Sequence, residues 1–136
     1  TMLDSLGMMP TIEWYAIEFS RMTGIQCHIE LTEGADCAHE HKASLFRVVQ
    51  EALTNVARHA EATRVSIRAS KEDGKLVVEI EDNGKGLPTN LQDGEIILDK
   101  SFGITGMRER AQYMHGGVEI LSAPARGTTV TVSVPI

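Results

Sequence analysis

A long helical pattern followed by a glycine-rich turn constrains the fold of this chain more than any other feature. From Lys42 to Ala60, apolar residues recur at steps of three and four, which predicts a long amphipathic helix. Two strand patterns later comes the run Asp82-Asn83-Gly84-Lys85-Gly86. We therefore expect a carboxylate in a tight turn beside a helix that presents Glu51 and Asn55 on one face.

The remaining segments alternate between helical and strand patterns. Besides the central helix, the predicted helices are Pro10–Met22 and Ile104–Met114, the second stopped by Gly116-Gly117, and the predicted strands are Ile25–Leu31, Val65–Ala69, Leu76–Ile80, Val118–Ser122 and Thr128–Val134. Asp73-Gly74 is a strong hairpin signal between the two middle strands. Residues 32–41 are predicted to form a polar loop and residues 87–101 a mobile one. This order predicts an α/β (α+β) two-layer sandwich with a mixed, mostly antiparallel sheet covered on one face by three helices.

The length and net charge of the chain limit the classes of protein to which it can belong. A chain of 136 residues favours one domain with a real core. A net charge of −6 argues against direct, non-specific nucleic-acid binding, which depends on Lys and Arg. No apolar run is long enough to cross a bilayer and no secretory signal is visible, and Cys27 and Cys37 are expected to be reduced thiols.

One face of the central helix carries polar residues one turn apart. Glu51, Asn55 and Arg58 or His59 follow at steps of four, three and one. Asn55 offers a neutral oxygen suited to Mg²⁺, and Arg58 offers a fork of donors for a phosphate. Taken alone, the same spacing also fits an ordinary solvated helix face.

The turn after the third predicted strand offers a carboxylate to a ligand. Asp82 could accept from the exocyclic amine of adenine, while Gly84 and Gly86 could adopt positive φ and let a planar ligand approach the backbone. A tight turn with a solvated Asp is the alternative for such a short motif.

Two further segments fit the same ligand. Phe102-Gly103-Ile104-Thr105-Gly106-Met107 puts two glycines at a helix start, where free N–H groups attract phosphate. Gly127-Thr128-Thr129 begins the last strand, with a Thr128 hydroxyl that could lie near a purine. Each also has a purely structural interpretation, as a helix start or a strand residue.

Together and in this order, these motifs resemble the catalytic, ATP-binding domain of sensor histidine kinases, in the superfamily shared with type II topoisomerases, mismatch-repair ATPases and heat-shock chaperones. Gln50–Ala60 resembles the N box, Asp82–Leu87 the first glycine box, Phe102–Ala111 the second and Gly127–Thr129 the third. The resemblance covers nearly the whole chain and implies the Bergerat-type ATP-binding fold. The string from Phe46 to Asn55 is most similar to the subgroup paired with LuxR-type regulators.

The resemblance implies roles for individual residues, with ATP and Mg²⁺ as cofactors. Asn55 would ligate Mg²⁺, and Glu51 would organise the attacking group or a metal-bound water. The implied nucleotide-binding set is Asn55, Arg58 and His59 at the metal and phosphates, Asp82 and Thr128 at the adenine, and Gly84, Gly86, Leu87, Gly103, Gly106 and Met107 around the pocket and its lid.

The resemblance also implies a larger, cytoplasmic assembly. Residues 1–8 resemble the end of a linker from a dimerisation and phosphoacceptor hairpin, and residues 9–136 one ATP-binding catalytic domain. Such a domain donates the γ-phosphoryl group to a histidine on that hairpin, for relay to a response regulator with a helix-turn-helix output. None of the five histidines in this chain is expected to be the acceptor. Membrane tethering of the full-length protein is left open by the sequence.

Three other interpretations stay open. The same fold could serve an ATP hydrolase or a serine kinase, or a non-catalytic interaction module that has lost nucleotide binding. Separately, Cys37, His39 and His41 offer thiolate and imidazole groups of the kind that bind zinc. With no distant partner beyond Cys27, an incidental cluster is favoured over a metal site.

Overall fold

The computed structural model describes residues 2–87 and 102–136, which form a five-stranded sheet and its covering helices. The helices are α1 (Met2–Leu6), α2 (Met8–Thr23), α3 (Lys42–Asn55) and α4 (Ile104–Tyr113), with a 3₁₀ turn at His39–His41 and a π-helical turn at Val56–Ala60; the strands are β1 (Gln26–Leu31), β2 (Arg64–Glu72), β3 (Lys75–Asp82), β4 (Gly117–Ala123) and β5 (Gly127–Pro135). The loop predicted from the sequence at residues 87–101 lies outside the described residues except for Leu87.

The sheet has the order β1-β2-β3-β5-β4 and is mixed, as predicted. Only β1 and β2 run parallel, and the other neighbours are antiparallel. In the register, Val65 pairs with Asp82 and Ile67 pairs with Ile80. Asp82 therefore points to the same face of the sheet as the buried apolar residues.

Side chains alternate between buried and exposed along the strands, so one face of the sheet packs against the core and the other faces solvent. The central strands bury Val65, Ile67, Ala69, Leu76, Val78, Ile80, Val130, Val132 and Val134. On the opposite face Arg68 bridges to Glu79 and Glu81 across the strands. The helices therefore cover one face of a two-layer α/β sandwich, which confirms the predicted fold class.

Helix α3 lies at the centre of the helical layer. Its apolar positions are buried at helical spacing: Leu45, Val48, Val49, Ala52 and Leu53. Together with α4 and β4, it encloses the space above the ends of β3 and β5.

The first predicted helix is confirmed, and it buries one face. Helix α2 begins at Met8, so Pro10 stands in the first turn, where its missing N–H is harmless, and Gly24 ends the helix in the left-handed region. Ile12 and Phe19 are buried, but the apolar side chains of Trp14 and Ile17 are about half exposed. They lie on the opposite side of the helix, because positions 12, 16 and 19 already define one face.

The Asp73-Gly74 hairpin is confirmed. Both residues have positive φ, at 50° and 74°, as a two-residue turn matching the twist of the strands requires. Because the loop is only two residues long, β2 and β3 extend to Glu72 and Lys75, beyond the predicted strand ends.

The central helix is not α-helical over its whole predicted length. The α-helix ends at Asn55, and Val56–Ala60 form a π-helical turn that closes at Glu61 in the left-handed region. A π-helical turn places more residues in each turn than an α-helix does, so side chains beyond Asn55 no longer follow the steps of three and four assumed from the sequence. Such turns are frequent at functional sites.

The end of α4 corrects the role given to the two glycines. His115, not a glycine, takes the left-handed conformation that ends the helix, with φ 59°. The Gly116 amide donates to Ala111 O at 2.9 Å and the His115 amide to Gln112 O at 3.0 Å, the paired bonds of a Schellman motif. Gly116 is instead needed for packing, because a Cβ there would lie 1.9 Å from Ser133 O.

Two other expectations can be compared with the described part of the chain. Cys27 and Cys37 are both free thiols. Within residues 2–87 and 102–136, no helix combines the length and apolar character needed to cross a membrane.

Candidate functional site

A small apolar cavity lies where α3 and its π-helical turn meet the ends of β3 and β5. Its volume is about 20 Å³, room for about one water molecule. Its lining includes seven of the residues predicted as site residues: Asn55, His59, Asp82, Gly86, Leu87, Met107 and Thr128. Val56, Ile80, Ile104, Ile120 and Val130 add most of the apolar wall, so the cavity suits a flat, largely apolar group with a few polar edges.

Asp82 is the buried carboxylate of this cavity, with 6% of its surface exposed. Its Oδ1 accepts from the Gly84 amide at 2.8 Å and from the Thr128 amide at 3.3 Å. Burial raises the pKa of Asp82, and these two backbone donors oppose that rise. Since both bonds within the described residues go to Oδ1, Oδ2 is left to accept from a ligand.

The turn after Asp82 is held against the π-helical turn. Lys85 N donates to Ala60 O at 2.8 Å, and a Cβ on Gly84 would lie 2.1 Å from that same oxygen. The expectation of positive φ is right for Gly86, at 84°, and wrong for Gly84. Gly84 is therefore required by the close approach of two protein segments, not by a left-handed turn.

Asn55 is the last residue of α3, and only one of the two polar atoms of its side-chain amide has a hydrogen-bond partner among the described residues. Its Nδ2 donates to the backbone carbonyl of Phe102 at 2.7 Å. Its Oδ1 is buried and has no hydrogen-bond partner among the described residues. A buried carbonyl oxygen without a donor is costly unless a ligand satisfies it, and a hard cation such as Mg²⁺ prefers oxygen of this kind.

The π-helical turn separates the two residues that were expected to act together. His59 lines the cavity and lies edge-on to the Phe102 ring, with the centroids 4.5 Å apart. Arg58 is exposed and is not part of the cavity wall. The two side chains therefore leave the helix in different directions.

A second cavity, of about 200 Å³, adjoins the first across Met107. It is lined by Arg47, Glu51, Gly103, Gly106, Met107 and Arg110. Gly103 precedes α4 with φ 64°, and a Cβ there would lie 2.1 Å from Glu51 Oε1. Glu51 thus lies at the N-terminus of α4, beside the two arginines.

Some residues of the site carried no signal in the sequence. Ser122 Oγ accepts from Leu87 N at 2.7 Å and lies 3.0 Å from Thr128 Oγ1, so it joins the first glycine turn to the last strand. Asn83 Oδ1 accepts from the amides of Thr63 and Arg64, each at 3.0 Å. Only the paired register of the strands brings these groups together, so no local motif could have indicated them.

The Cys37–His41 segment lies away from both cavities. Burial raises the pKa of the Cys37 thiol to about 11, with the Asp36 carboxylate adding to the effect. Its neighbour His39 lies 3.7 Å from Asp4. Within residues 2–87 and 102–136, no three side chains of the metal-binding kinds come close enough to hold an ion.

Comparisons with known proteins agree with this geometry. Residues 40–136 match the family described as histidine kinase-, DNA gyrase B-, and HSP90-like ATPase. The chain is 38% identical to the signal transduction histidine-protein kinase/phosphatase DegS of Brevibacillus brevis, covering 98% of this chain and 34% of that protein. It is 37% identical to UhpB of Salmonella typhimurium, covering 98% of this chain and 25% of that protein. The chain thus spans about a third or less of the length of these relatives.

Solved structures share the fold. The histidine kinase domain of the blue-light activated kinase from Erythrobacter litoralis EL346 aligns with a TM-score of 0.73 at 22% identity, covering 91% of this chain and 58% of that one. AdeS of Acinetobacter baumannii aligns with a TM-score of 0.70 at 14% identity, covering 93% and 61%. Identities this low establish the fold alone. The family match over residues 40–136 shows that the chain belongs to the histidine kinase-, DNA gyrase B-, and HSP90-like ATPase family, and its similarity to DegS and UhpB indicates the ATPase domain of a histidine kinase.

Proposed function

We propose that this domain binds ATP with Mg²⁺ and, within a longer cytoplasmic sensor kinase, donates the γ-phosphoryl group to a histidine on a separate helical hairpin. The phosphoryl group then passes to a response regulator with a helix-turn-helix output of the LuxR type. Residues 1–8 are the end of the linker from the hairpin, and residues 9–136 are the catalytic domain. The observation that carries the proposal is the buried Asp82 carboxylate, whose Oδ1 is held by two backbone amides.

Asp82 is the adenine-binding group in this proposal. Its Oδ2 accepts from the exocyclic amine of adenine, while the apolar wall contributed by Ile80, Ile120 and Val130 packs against the purine. Guanine carries a carbonyl oxygen in place of that amine and would meet a second acceptor. Thr128, on the cavity wall beside Asp82, completes the polar edge.

Asn55 is the protein ligand for Mg²⁺. Its Oδ1 supports this assignment, because it is a buried neutral oxygen without a hydrogen-bond partner among the described residues and Mg²⁺ prefers oxygen ligands. When bound, Mg²⁺ would neutralise charge on the phosphates.

The second cavity is the place for the phosphates. Its position beyond Met107 puts it next to the base-binding cavity, and Gly103 and Gly106 border it at the N-terminus of α4, where amides without helical partners favour an anion. Glu51 on its wall would orient the attacking group. Arg58 is a proposed phosphate contact on the basis of the family resemblance. The resemblance implies the same role for His59, but His59 lies against Phe102 in the base-binding cavity.

The base-binding cavity must widen when nucleotide enters. At about 20 Å³ it is much smaller than the several hundred Å³ typical of ligand pockets. Wall residues such as Leu87 and Met107 must move apart to admit a purine, so nucleotide binding should change the packing between the first glycine turn and α4.

Calorimetric titration of the chain tests the proposal. We expect saturable binding of a non-hydrolysable ATP analogue that is stronger with Mg²⁺ and is not reproduced by the GTP analogue. Asn55→Ala should remove the Mg²⁺ enhancement and keep the Mg²⁺-independent part. Equal affinity for the two analogues would contradict the role of Asp82, and unchanged Mg²⁺ enhancement in Asn55→Ala would contradict the metal assignment.

A second assay tests the chemistry. The full-length protein should transfer phosphate from ATP to a histidine, giving an acid-labile and alkali-stable product. Steady ATP hydrolysis without such a product, or phosphate on serine, would favour the alternative enzymes of the same fold. Failure to bind any nucleotide would favour a non-catalytic interaction module.

A further inference from the structure

We infer that Phe102 is a positioning residue for the metal-binding oxygen of Asn55, and that His59 holds Phe102 in place. This inference rests on the proposed function, because it concerns how the domain prepares its Mg²⁺ ligand. The three residues are called the Phe102 clamp below: the Asn55 carboxamide, the Phe102 carbonyl and ring, and the His59 ring.

The first contact of the clamp fixes which way the Asn55 amide faces. A backbone carbonyl can only accept, so the Phe102 oxygen selects the orientation in which Nδ2 faces it, at 2.7 Å. The same bond turns Oδ1 to the other side, where it is buried without a partner among the described residues. A metal ligand that is oriented in advance loses less entropy when the ion binds.

The second contact keeps the Phe102 carbonyl where Asn55 needs it. Phe102 is 6% exposed, and its ring meets the His59 ring at an interplanar angle of 62° with the centroids 4.5 Å apart. Edge-to-face contacts of this kind are favourable beyond the area they bury. The ring therefore anchors the residue just before Gly103, and the anchored backbone presents its carbonyl to Asn55.

The π-helical turn makes both contacts possible. It begins immediately after Asn55 and carries His59 as its fourth residue, and within this wider turn the imidazole lies against the same residue that Asn55 contacts. Outer-shell partners of metal ligands commonly change metal affinity by about tenfold to a hundredfold. The Phe102 clamp would be such an outer-shell partner, because it contacts the metal ligand and not the metal.

The test compares nucleotide affinity with Mg²⁺ and with EDTA, using calorimetry and a non-hydrolysable ATP analogue. Phe102→Ala removes the anchored ring, and His59→Ala removes its support. We expect each to lower affinity with Mg²⁺ by about tenfold or more beyond any loss seen in EDTA, because the loss of a cavity-wall contact alone would lower both affinities equally. His59→Phe keeps an aromatic edge against Phe102 and should keep most of the enhancement.

A phosphate contact by His59 predicts a different result. In that case His59→Phe would be as defective as His59→Ala, and both would lose affinity in EDTA as well. Either that pattern or an unchanged Mg²⁺ enhancement in Phe102→Ala and His59→Ala would overturn the inference. If Phe102→Ala fails to unfold cooperatively, the His59 pair decides, since it leaves the buried Phe102 ring in place.

Phe46→Ala is the matched control. Phe46 also makes an edge-to-face contact, with Tyr15 at 5.5 Å, but it lies outside the wall of the base-binding cavity. It should lower stability and leave the Mg²⁺ enhancement intact. No nucleotide binding by the parent chain would overturn the proposed function and the clamp together, whereas normal Mg²⁺ enhancement in every variant would overturn the clamp alone.

Discussion

Gly127 lies so close to Asp82 that a Cβ on Gly127 would be 2.0 Å from the Asp82 carbonyl oxygen. The next residue, Thr128, donates its amide to the carboxylate of the same aspartate. The start of β5 is therefore built around the end of β3. Because Gly127 also has φ 84°, no other residue fits this position without strain.

Gly127→Ala should damage stability and nucleotide binding together. The new methyl group must displace the Asp82 backbone, and alanine disfavours the positive φ, so we expect the free energy of unfolding to fall by about 2 kcal/mol or more. Urea denaturation measures this loss. Gly117→Ala is the matched control, since Gly117 begins β4 without positive φ and no atom of the described residues lies within 4 Å of an added Cβ. Equal effects of the two substitutions would contradict the packing argument.

Asp82→Asn should lower nucleotide affinity without lowering the stability of the folded domain. The Oδ1 of asparagine can still accept from the Gly84 and Thr128 amides, while the buried negative charge is removed. We expect unfolding stability at neutral pH to be unchanged or higher. Nucleotide affinity should fall by about thirtyfold or more, because the asparagine amide would present a donor to the adenine amine. A variant that loses stability and affinity in parallel would indicate that Asp82 acts mainly as a structural residue.

The pH dependence of the domain should follow the raised pKa of Asp82. Since the folded carboxyl holds its proton more tightly than the unfolded one, its contribution to stability is fully present below the unfolded pKa and is lost as pH rises through the folded pKa. Nucleotide affinity should change in the opposite sense and weaken as pH falls through the folded pKa, because only the carboxylate accepts at both oxygens. Titration calorimetry and urea denaturation between about pH 4 and 8 would measure both. The Asp82→Asn variant should lack both components.

Local sequence signals predicted much of the fold because their physical causes are local. The positive φ of Asp73-Gly74 depends on the residue types themselves, and the apolar spacing of α3 is fixed by helical geometry. The π-helical turn at Val56–Ala60 could not be predicted in this way. Its last residue, Ala60, packs against the turn at Gly84, which is distant in sequence, and no local pattern indicates that contact.

The candidate site likewise combines residues with a local sequence signal and residues whose contacts depend on the tertiary structure. Asp82 and Asn55 could be proposed from the sequence because each stands in a short pattern, and both line the cavity. Phe102 and Ser122 were not identifiable as contacts, since a backbone carbonyl and a strand hydroxyl gain their meaning only from partners 47 and 35 residues away. Likewise the glycine at 84 was recognised, but its reason, contact with Ala60 O, needed the tertiary structure.

Gly103→Ala and Gly106→Ala should give opposite results although both glycines belong to the second glycine box. Gly103→Ala introduces strain at φ 64° and a methyl group 2.1 Å from Glu51 Oε1, so stability should fall. Gly106 lies inside α4 without positive φ, and among the described residues no atom lies within 4 Å of an added Cβ outside its own helix. Replacing it with alanine should therefore raise stability by about 0.5–1 kcal/mol.

Nucleotide binding by Gly106→Ala then tests whether the phosphates approach this part of α4. If phosphates approach the α4 backbone there, the added methyl group should weaken ATP while the protein becomes more stable, a combination that a structural role cannot produce. Thermal unfolding and titration on the same sample measure the two effects. Gain of stability with unchanged ATP affinity would place the phosphates away from Gly106, and a loss of stability would mean that the helix itself requires glycine at this position.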